Sequence, residues 1–298
     1  MVLTSELGED LVATPLRVNP THRFLKVFFG RKVVIFGTVI LGVLGLVAIL
    51  APVIAPYDPY KTYFEISLSQ PSAEHWLGTD RLGRDVLSRI IFGSRTSLMV
   101  GFIAIGIGAI TGTFLGLIAG YLGGMISPII MRTMDALLAI PMLLLALAIT
   151  AVMGGGLIQM MIALGIATIP SHARLMHGMV LSVKQSDYVL AGVVMGGSNL
   201  RIMLRHVFPN CMPTIIVMVT LGLGMAILSE AALSFLGLGI SPPGAAWGAM
   251  VSEGYRYLLN NPILSIAPGV CIMLVVLAFN IVGDGLRDAL DPRLRGII

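Results

Sequence analysis

Few residues of this chain could do chemistry. Two carboxyls, Asp135 and Glu230, lie within or at the edge of long apolar runs, where ionisable groups are costly enough to be functional candidates by default: proton carriers, parts of a water-filled path, or members of buried ion pairs. Asp135 follows Arg132 by three residues, a helical spacing that favours an ion pair near one end of a span. Glu230 has no charged neighbour in sequence, and a place on a translocation path is the reading preferred for it. The histidines at 22, 75, 172, 177 and 206 contain no HExxH, and no serine sits in GxSxG, so the common zinc-peptidase and hydrolase signatures fail. Ser171 beside His172 does not by itself give a nucleophile and base facing each other. A phosphate-binding loop GxxxxGK[ST] is also missing, since the lysines follow Leu25, Arg31, Tyr60 and Val183; ATP bound in that way would have to sit on another chain. Cys211 and Cys271 are the only thiols, which indicates neither a disulfide framework nor a Cys-based zinc site.

The elements that position these residues are membrane helices by composition. Of 298 residues, 56% are hydrophobic and 11% charged, against about 25% charged in soluble domains. A hydrocarbon core of about 30 Å takes about 20 apolar residues per helical crossing, which leaves room for several spans and no large soluble domain. The 19 Lys and Arg against 15 Asp and Glu give a net charge of +4, too scattered for a nucleic-acid surface. Apolar runs at 33–56, 96–120, 129–153, 155–173, 213–238 and 263–283 predict an all-α polytopic membrane protein of about six transmembrane helices. The first run is expected to be retained. It is longer than a secretory h-region, lacks an A-x-A site and follows the acidic Glu6, Glu9 and Asp10. With both termini cytoplasmic, 13 of the 19 Lys and Arg fall in inner segments, as the positive-inside rule asks, although Lys61, Arg81, Arg84, Arg89 and Arg95 crowd the first outer segment. The organisation expected is a cytoplasmic leader 1–32, a first transmembrane helix 33–56, an outer segment 57–95, a transmembrane core 96–283 with a cytoplasmic segment 174–210, and a cytoplasmic tail 284–298.

Gly108, Gly112, Gly116, Gly120 and Gly124 recur every fourth residue and strip one helix face of side chains, so that another backbone can approach closely. Packing within the chain is preferred there over a subunit interface or pore wall. Pro141, Pro170 and Pro268 fall inside spans, where each removes a backbone hydrogen bond and permits a kink. In the segment 174–210, Ser186 or Asp187 can cap a short helix that Gly196-Gly197 ends, and Ser198 or Asn199 can cap a second that Pro209 limits. Arg201 and Arg205 share one face of that second helix. Such a pair could lie on the bilayer surface or project as a hairpin into a partner.

This segment resembles the coupling loop of ABC importer permeases, whose pattern is EAA, three residues, Gly, nine residues, then I-x-L-P. Here it reads Leu190-Ala191-Gly192, then Gly196, then nine residues, then His206-Val207-Phe208-Pro209; the Gly and Pro keep their separation, while Leu190, Gly192, His206 and Phe208 depart from the pattern. Three further stretches are similar to the second permease subunit of dipeptide, oligopeptide, glutathione and nickel importers. They are His75-Trp76-Leu77-Gly78-Thr79-Asp80 with Gly83-Arg84-Asp85-Val86-Leu87-Ser88-Arg89; Leu233-Ser234-Phe235-Leu236-Gly237-Leu238-Gly239 with Pro242-Pro243 and Trp247-Gly248; and Phe279-Asn280 leading to Gly283-Asp284-Gly285-Leu286-Arg287-Asp288 and Leu290-Asp291-Pro292.

The resemblance implies the type I ABC importer permease fold in a bacterial inner membrane, a related second permease completing a heterodimer, one or two ATPase chains, and a periplasmic or lipid-anchored solute-binding protein. It implies no cofactor on this chain, with ATP and Mg2+ held by the ATPases, and no nucleic-acid partner. Ser186, Asp187, Tyr188, Leu190, Ala191, Gly192, Gly196, Gly197, Arg201, Arg205, His206 and Pro209 become the ATPase-coupling loop, through which partner motion would swing the spans between inward- and outward-facing states. Asp80, Arg84, Asp85 and Trp247 become docking candidates for the binding protein; residue types alone also allow a salt-bridged cap pairing Asp85 with Arg89, and an interfacial Trp247. Asp284, Arg287, Asp288 and Asp291 are expected to pair internally. Peptide is the expected cargo, with nickel or glutathione by the same mechanism as alternatives. A proton-coupled carrier using Asp135 and Glu230 is the competing class; it would usually carry an internal repeat, and none is visible.

Overall fold

The computed structural model describes residues 20–240 and 243–290. The leader before Pro20, Pro242, and the Asp291-Pro292 pair with the rest of the tail lie outside the described residues. Among the described residues the elements are helices: α1 Pro20–Phe28, α2 Lys32–Ile54, α3 Val86–Leu122, α4 Ile126–Leu138, α5 Met142–Val152, α6 Leu157–Lys184, α7 Asp187–Val194, α8 Asn199–Ile202, α9 Phe208–Phe235, α10 Trp247–Tyr255 and α11 Ile263–Leu290, with a 3-10 turn Phe64–Ile66 between α2 and α3 and a π-helical turn Met203–Val207 joining α8 to α9.

The helices traverse between two ends. One end carries the segment 57–85 and α10 as a cap; the other carries α7 and α8. Helix α3 runs from the cap to the far end, and its 37 residues span about 55 Å at 1.5 Å per residue. It therefore begins well inside the expected outer segment, because Asp85 caps it there and its first turns are buried in the cap. Helix α6 lies along α3 in the same direction, with Thr168 level with Gly108 and Val180 level with Gly120. The chain returns between them through α4 and α5, bent by 90° at the break. Pro141 sits at that bend in extended conformation, with its carbonyl receiving the Leu145 N–H, so the expected third span is a broken one. Helix α9 runs back to the cap and α11 away from it. Arg31, before α2, pairs with Asp288 near the end of α11 at 2.5 Å, which puts the start of α2 and the end of α11 at the same end as α7 and α8.

Four segments are long and apolar enough to cross a membrane, Lys32–Ile54, Val86–Leu122, Asn199–Phe235 and Ile263–Leu290, and α4 with α5 makes a fifth if taken as one span. Helix α6 has the length, at 28 residues, but carries Ser171, His172, Arg174 and His177. Its inner face is enclosed, with Met160, Ala163, Leu164, Ala173, Met176 and Val180 fully buried and His172 nearly so, while Arg174 is exposed and pairs with Asp135.

The glycine stripe explains that enclosure. A Cβ on Gly108 would strike Thr168, on Gly112 the Ile169 carbonyl and His172, on Gly116 the Ala173 carbonyl and Met176, and on Gly120 Val180. The stripe is thus packing between α3 and α6, as preferred from spacing; Gly124 lies beyond the helix and faces open space. Helix α2 is the opposite case. It is apolar on all sides, buries only Val34, Gly37, Ala48 and Ala51, and exposes Val53 by 82% and Ile49 by 73%, the pattern of a peripheral helix facing lipid.

Candidate functional site

At the far end, α7 and α8 form a short hairpin. Ser186 enters α7 in extended conformation; its carbonyl accepts the N–H groups of Val189 and Leu190 at 3.0 and 3.1 Å, while its side chain makes no cap bond. The exit is a Schellman closure: the Gly196 N–H donates to Val193 O at 2.9 Å and the Gly197 N–H to Gly192 O at 3.1 Å. Gly196 adopts φ +78°, a left-handed conformation that costs an L-residue with a Cβ about 1–2 kcal/mol. Ser198 then starts α8, again without a side-chain cap.

Pro209 does not end the second helix, contrary to the expectation from sequence. The helix continues from Asn199 through the π turn Met203–Val207 into α9, with Pro209 in the first turn of α9. Proline has no N–H to give the preceding turn, and a wider turn is one way a helix accommodates the missing bond.

The hairpin has two faces. Val189, Gly192, Ile202 and Val207 are buried, the valines and Ile202 packing in a cluster with Leu117, Tyr121, Met176 and Val180. Lys184 Nζ donates to Tyr121 O at 2.8 Å, and Tyr121 OH donates to Asn199 Oδ1 at 3.4 Å, fixing the base to the end of α3. Outward face Tyr188, Leu190, Ala191, Val193, Val194, Met195 and Leu200, with Val194 exposed by 87% and Met195 by 82%. Asp187, Arg201 and Arg205 are exposed, His206 is half-buried and its carbonyl accepts from Asn210 Nδ2 at 2.6 Å. An apolar tip on a short, tightly tied hairpin is suited to docking in a groove and to transmitting displacement; it has no group arranged for bond chemistry.

The cap holds the docking candidates in its interior. Asp80 Oδ1 accepts the N–H groups of Leu82 and Arg84 at 2.8 and 3.0 Å, and its Oδ2 accepts from Arg84 Nε at 2.6 Å. Arg84, 1% exposed, also reaches Glu253 on α10 at 3.3 Å. Arg81 Nε donates to Glu253 at 2.7 Å, and that carboxylate raises the Arg81 guanidinium pKa above its ordinary value. Asp85 caps α3, accepting from Ser88 N at 2.8 Å and Ser88 Oγ at 2.7 Å, with His75 Nδ1 at 2.9 Å. Trp247 is 0% exposed; its Nε1–H donates to Ile90 O at 3.0 Å and its ring edge lies against Gly93. Asp80, Arg84, Asp85 and Trp247 are therefore corrected from contact surface to interior framework. Asp85 pairs with His75 and not with Arg89, because its oxygens are taken by Ser88 and His75 while Arg89 turns to Asp80 and to the carbonyls of Pro59, Pro243 and Gly244. Glu253, which completes the network, gave no signal in the sequence because it lies about 170 residues from its partners.

The intramembrane carboxyls are also placed. Asp135 pairs with Arg174 of α6 and not with Arg132, because α4 packs across α6. Glu230 is 0% exposed within this chain and accepts from Ser234 Oγ at 2.8 Å, one turn along its own helix. It thus lies off any surface this chain presents to a path, a correction of its expected position. The two do not meet: Glu230 lies near the level of Gly101, and Arg174 near that of Gly116, about 20 Å apart along α3.

Residues 112–296 match the family described as binding-protein-dependent transport system inner membrane component, and residues 19–71 match the N-terminal TM domain of oligopeptide transport permease C. The chain belongs to this family of inner-membrane transport components. The permease is 44% identical over 278 residues to the dipeptide transport system permease protein of Alkalihalophilus pseudofirmus, covering 93% of this chain and 91% of that one. It is 43% identical over 283 residues to the di/tripeptide transport system permease protein of Pseudomonas aeruginosa, 93% of each chain, and 42% identical over 279 residues to the glutathione transport system permease protein of Pectobacterium atrosepticum, 93% and 92% of the two. Among solved structures, an inward-facing conformation of the MetNI methionine ABC transporter superposes with a TM-score of 0.57 at 18% identity, over 69% of the permease and 97% of that chain. At that identity the likeness carries the fold, that of a type I ABC importer permease.

Proposed function

We propose that this permease is one of two related membrane subunits of an ATP-driven importer for peptides, and that the hairpin Ser186–Pro209 is where partner ATPases deliver work. The observation that carries the reading is the hairpin itself: an apolar tip exposed at one end of a bundle whose base is tied to α3 and α6. One or two ATPase chains, holding ATP and Mg2+, seat the tip; their closure displaces the hairpin, and the end of α3 and the start of α9 move with it. A second permease completes the path, and hairpin and termini face the cytoplasm. A solute-binding protein delivers cargo to the cap, where the side chains left exposed for it include Phe64, Trp76 and Leu259. Peptide cargo rests on relatives named for dipeptides and di/tripeptides. Glutathione is the second reading, favoured by a relative named for it and of the same chemical class.

The test is Gly196→Asp in the reconstituted importer. A Cβ there meets nothing within 4 Å, so the variant perturbs backbone conformation and the partner-facing tip without a clash inside the chain. Membrane insertion and co-purification of the second permease should persist while peptide uptake falls at least tenfold relative to ATP hydrolysis. Wild-type uptake by the variant would remove the hairpin from the coupling path.

A further inference from the structure

We propose that the cap contains a subsite for the C-terminal carboxylate of the peptide, in the cavity between the Arg81 turn, the chain following α9, and α10; this rests on the peptide reading above. The cavity measures about 250 Å³ and is lined in part by Arg81, Arg89, Ser234, Gly239, Glu253 and Arg256. At ~30 Å³ per water that is room for about eight waters, enough for the terminal residue of a peptide.

Charge sets the ligand class. Arg81, Arg84, Arg89 and Arg256 gather here, and the acidic groups among them are Asp80 and Glu253. Asp80 is shared by Arg84 and Arg89, and Glu253 by Arg81 and Arg84. Two positive charges are left over, and Arg256 makes no ion pair among the described residues. Arg89 is in place but loosely held. Its side chain is 3% exposed, with Asp80 at 3.4 Å from Nε and the carbonyls of Pro59, Pro243 and Gly244 at 3.3, 3.4 and 3.4 Å. Charge-assisted bonds close to roughly 2.7–2.9 Å, so a carboxylate in the cavity would offer this guanidinium a better partner than any it now has.

The opposite wall is set for an N–H. Ser234 donates its hydroxyl proton to Glu230 at 2.8 Å, so toward the cavity it presents lone pairs and accepts. A Cβ on Gly239 would run into the Ser234 side chain, so glycine is what lets the loop pass beside this hydroxyl with both residues lining the cavity. Glu230 thereby gains a role its position off the path left open: it fixes the Ser234 proton inward. Arginines on one side and an accepting hydroxyl on the other match a terminal carboxylate and the amide N–H beside it.

The experiment titrates N-acetyl-dialanine and its C-terminal amide into the detergent-purified importer complex without binding protein, comparing wild type, Arg256→Gln, Arg256→Lys and Ser234→Ala. Arg256 is exposed and makes no ion pair among the described residues, so its replacement leaves the cap network intact. The acid should bind at least tenfold more tightly than the amide. Arg256→Gln should abolish that difference, Arg256→Lys should keep most of it, and Ser234→Ala should weaken acid and amide alike. Equal binding of acid and amide by wild type overturns the subsite. So does an Arg256→Gln effect that appears only in a second titration, with the binding protein itself, and is confined to that protein's affinity; this would make the arginines a protein-docking patch. Uptake by the same complex in proteoliposomes, with the binding protein added, separates the two readings: acid-selective binding without uptake keeps the subsite and removes peptide import, and uptake without acid selectivity does the reverse.

Discussion

At the scale of single residues, burial decides more than residue type. Arg84 is charged, yet its side chain is 1% exposed and bridges Asp80 to Glu253, so it joins the segment 79–85 to α10. Removing one partner of a buried pair costs about 3–5 kcal/mol, because the other charge stays desolvated. Arg89 and Arg81 remain beside the two carboxylates, which places Arg84→Met near the lower figure, about 3 kcal/mol. We expect the variant to insert normally and to lose thermal stability in detergent, by several degrees in a fluorescence melt; an unchanged Tm would mean the network is electrostatically idle. The sequence displayed Asp80, Arg84 and Asp85 as a charged motif but not the direction in which they point. Direction depends on α10 folding back over the cap, and no local pattern encodes that.

At the scale of elements, the α3–α6 contact is the axis of the bundle. Small residues let two backbones approach where lipid provides no hydrophobic drive between helices. Gly116→Ala would press a methyl against the Ala173 carbonyl, which cannot give way cheaply, and overpacking of this kind costs about 1–3 kcal/mol. Gly106→Ala meets nothing within 4 Å and replaces glycine by the best helix former, a gain of up to about 1 kcal/mol. The pair of melts should therefore move in opposite directions, and equal shifts would show that the stripe does not set the spacing. The four-residue glycine period was legible in sequence and so was its use. The bend at Pro141 and the continuation through Pro209 were not: proline announces a missing hydrogen bond, and the neighbouring helices decide whether the chain turns, as at 90° between α4 and α5, or runs on through a π turn, as into α9.

At the scale of the whole molecule, two ends with different chemistry define the machine. The cap is a network of buried ion pairs over α3, α10 and α11; the opposite end offers an apolar hairpin together with the start of α2 and the end of α11. With the hairpin cytoplasmic, and in membranes made without the ATPases, Met195→Cys should react with a membrane-impermeant maleimide in inverted vesicles, and Trp76→Cys, at a position 71% exposed on the cap, in right-side-out cells. The native Cys211 is buried and Cys271 partly so, so background labelling should be low. The reverse pattern would invert the molecule in the membrane.

The sequence by itself determined that this chain is a helical membrane protein, because 56% apolar residues in runs of crossing length admit little else. It also determined where the hairpin turns, because Gly196 is local chemistry and its left-handed conformation needs no distant partner. Tertiary structure alone decided which charged residues are interior, that Asp135 takes Arg174 as its partner, and that Glu230 and Ser234 stand behind a cavity ringed by Arg81, Arg89 and Arg256. In the cap those facts depend on groups brought together from more than 150 residues apart, and for Asp135 and Arg174 from 39 apart; such proximity comes from the packing of whole helices, whose energy is spread over many contacts and written at no single position.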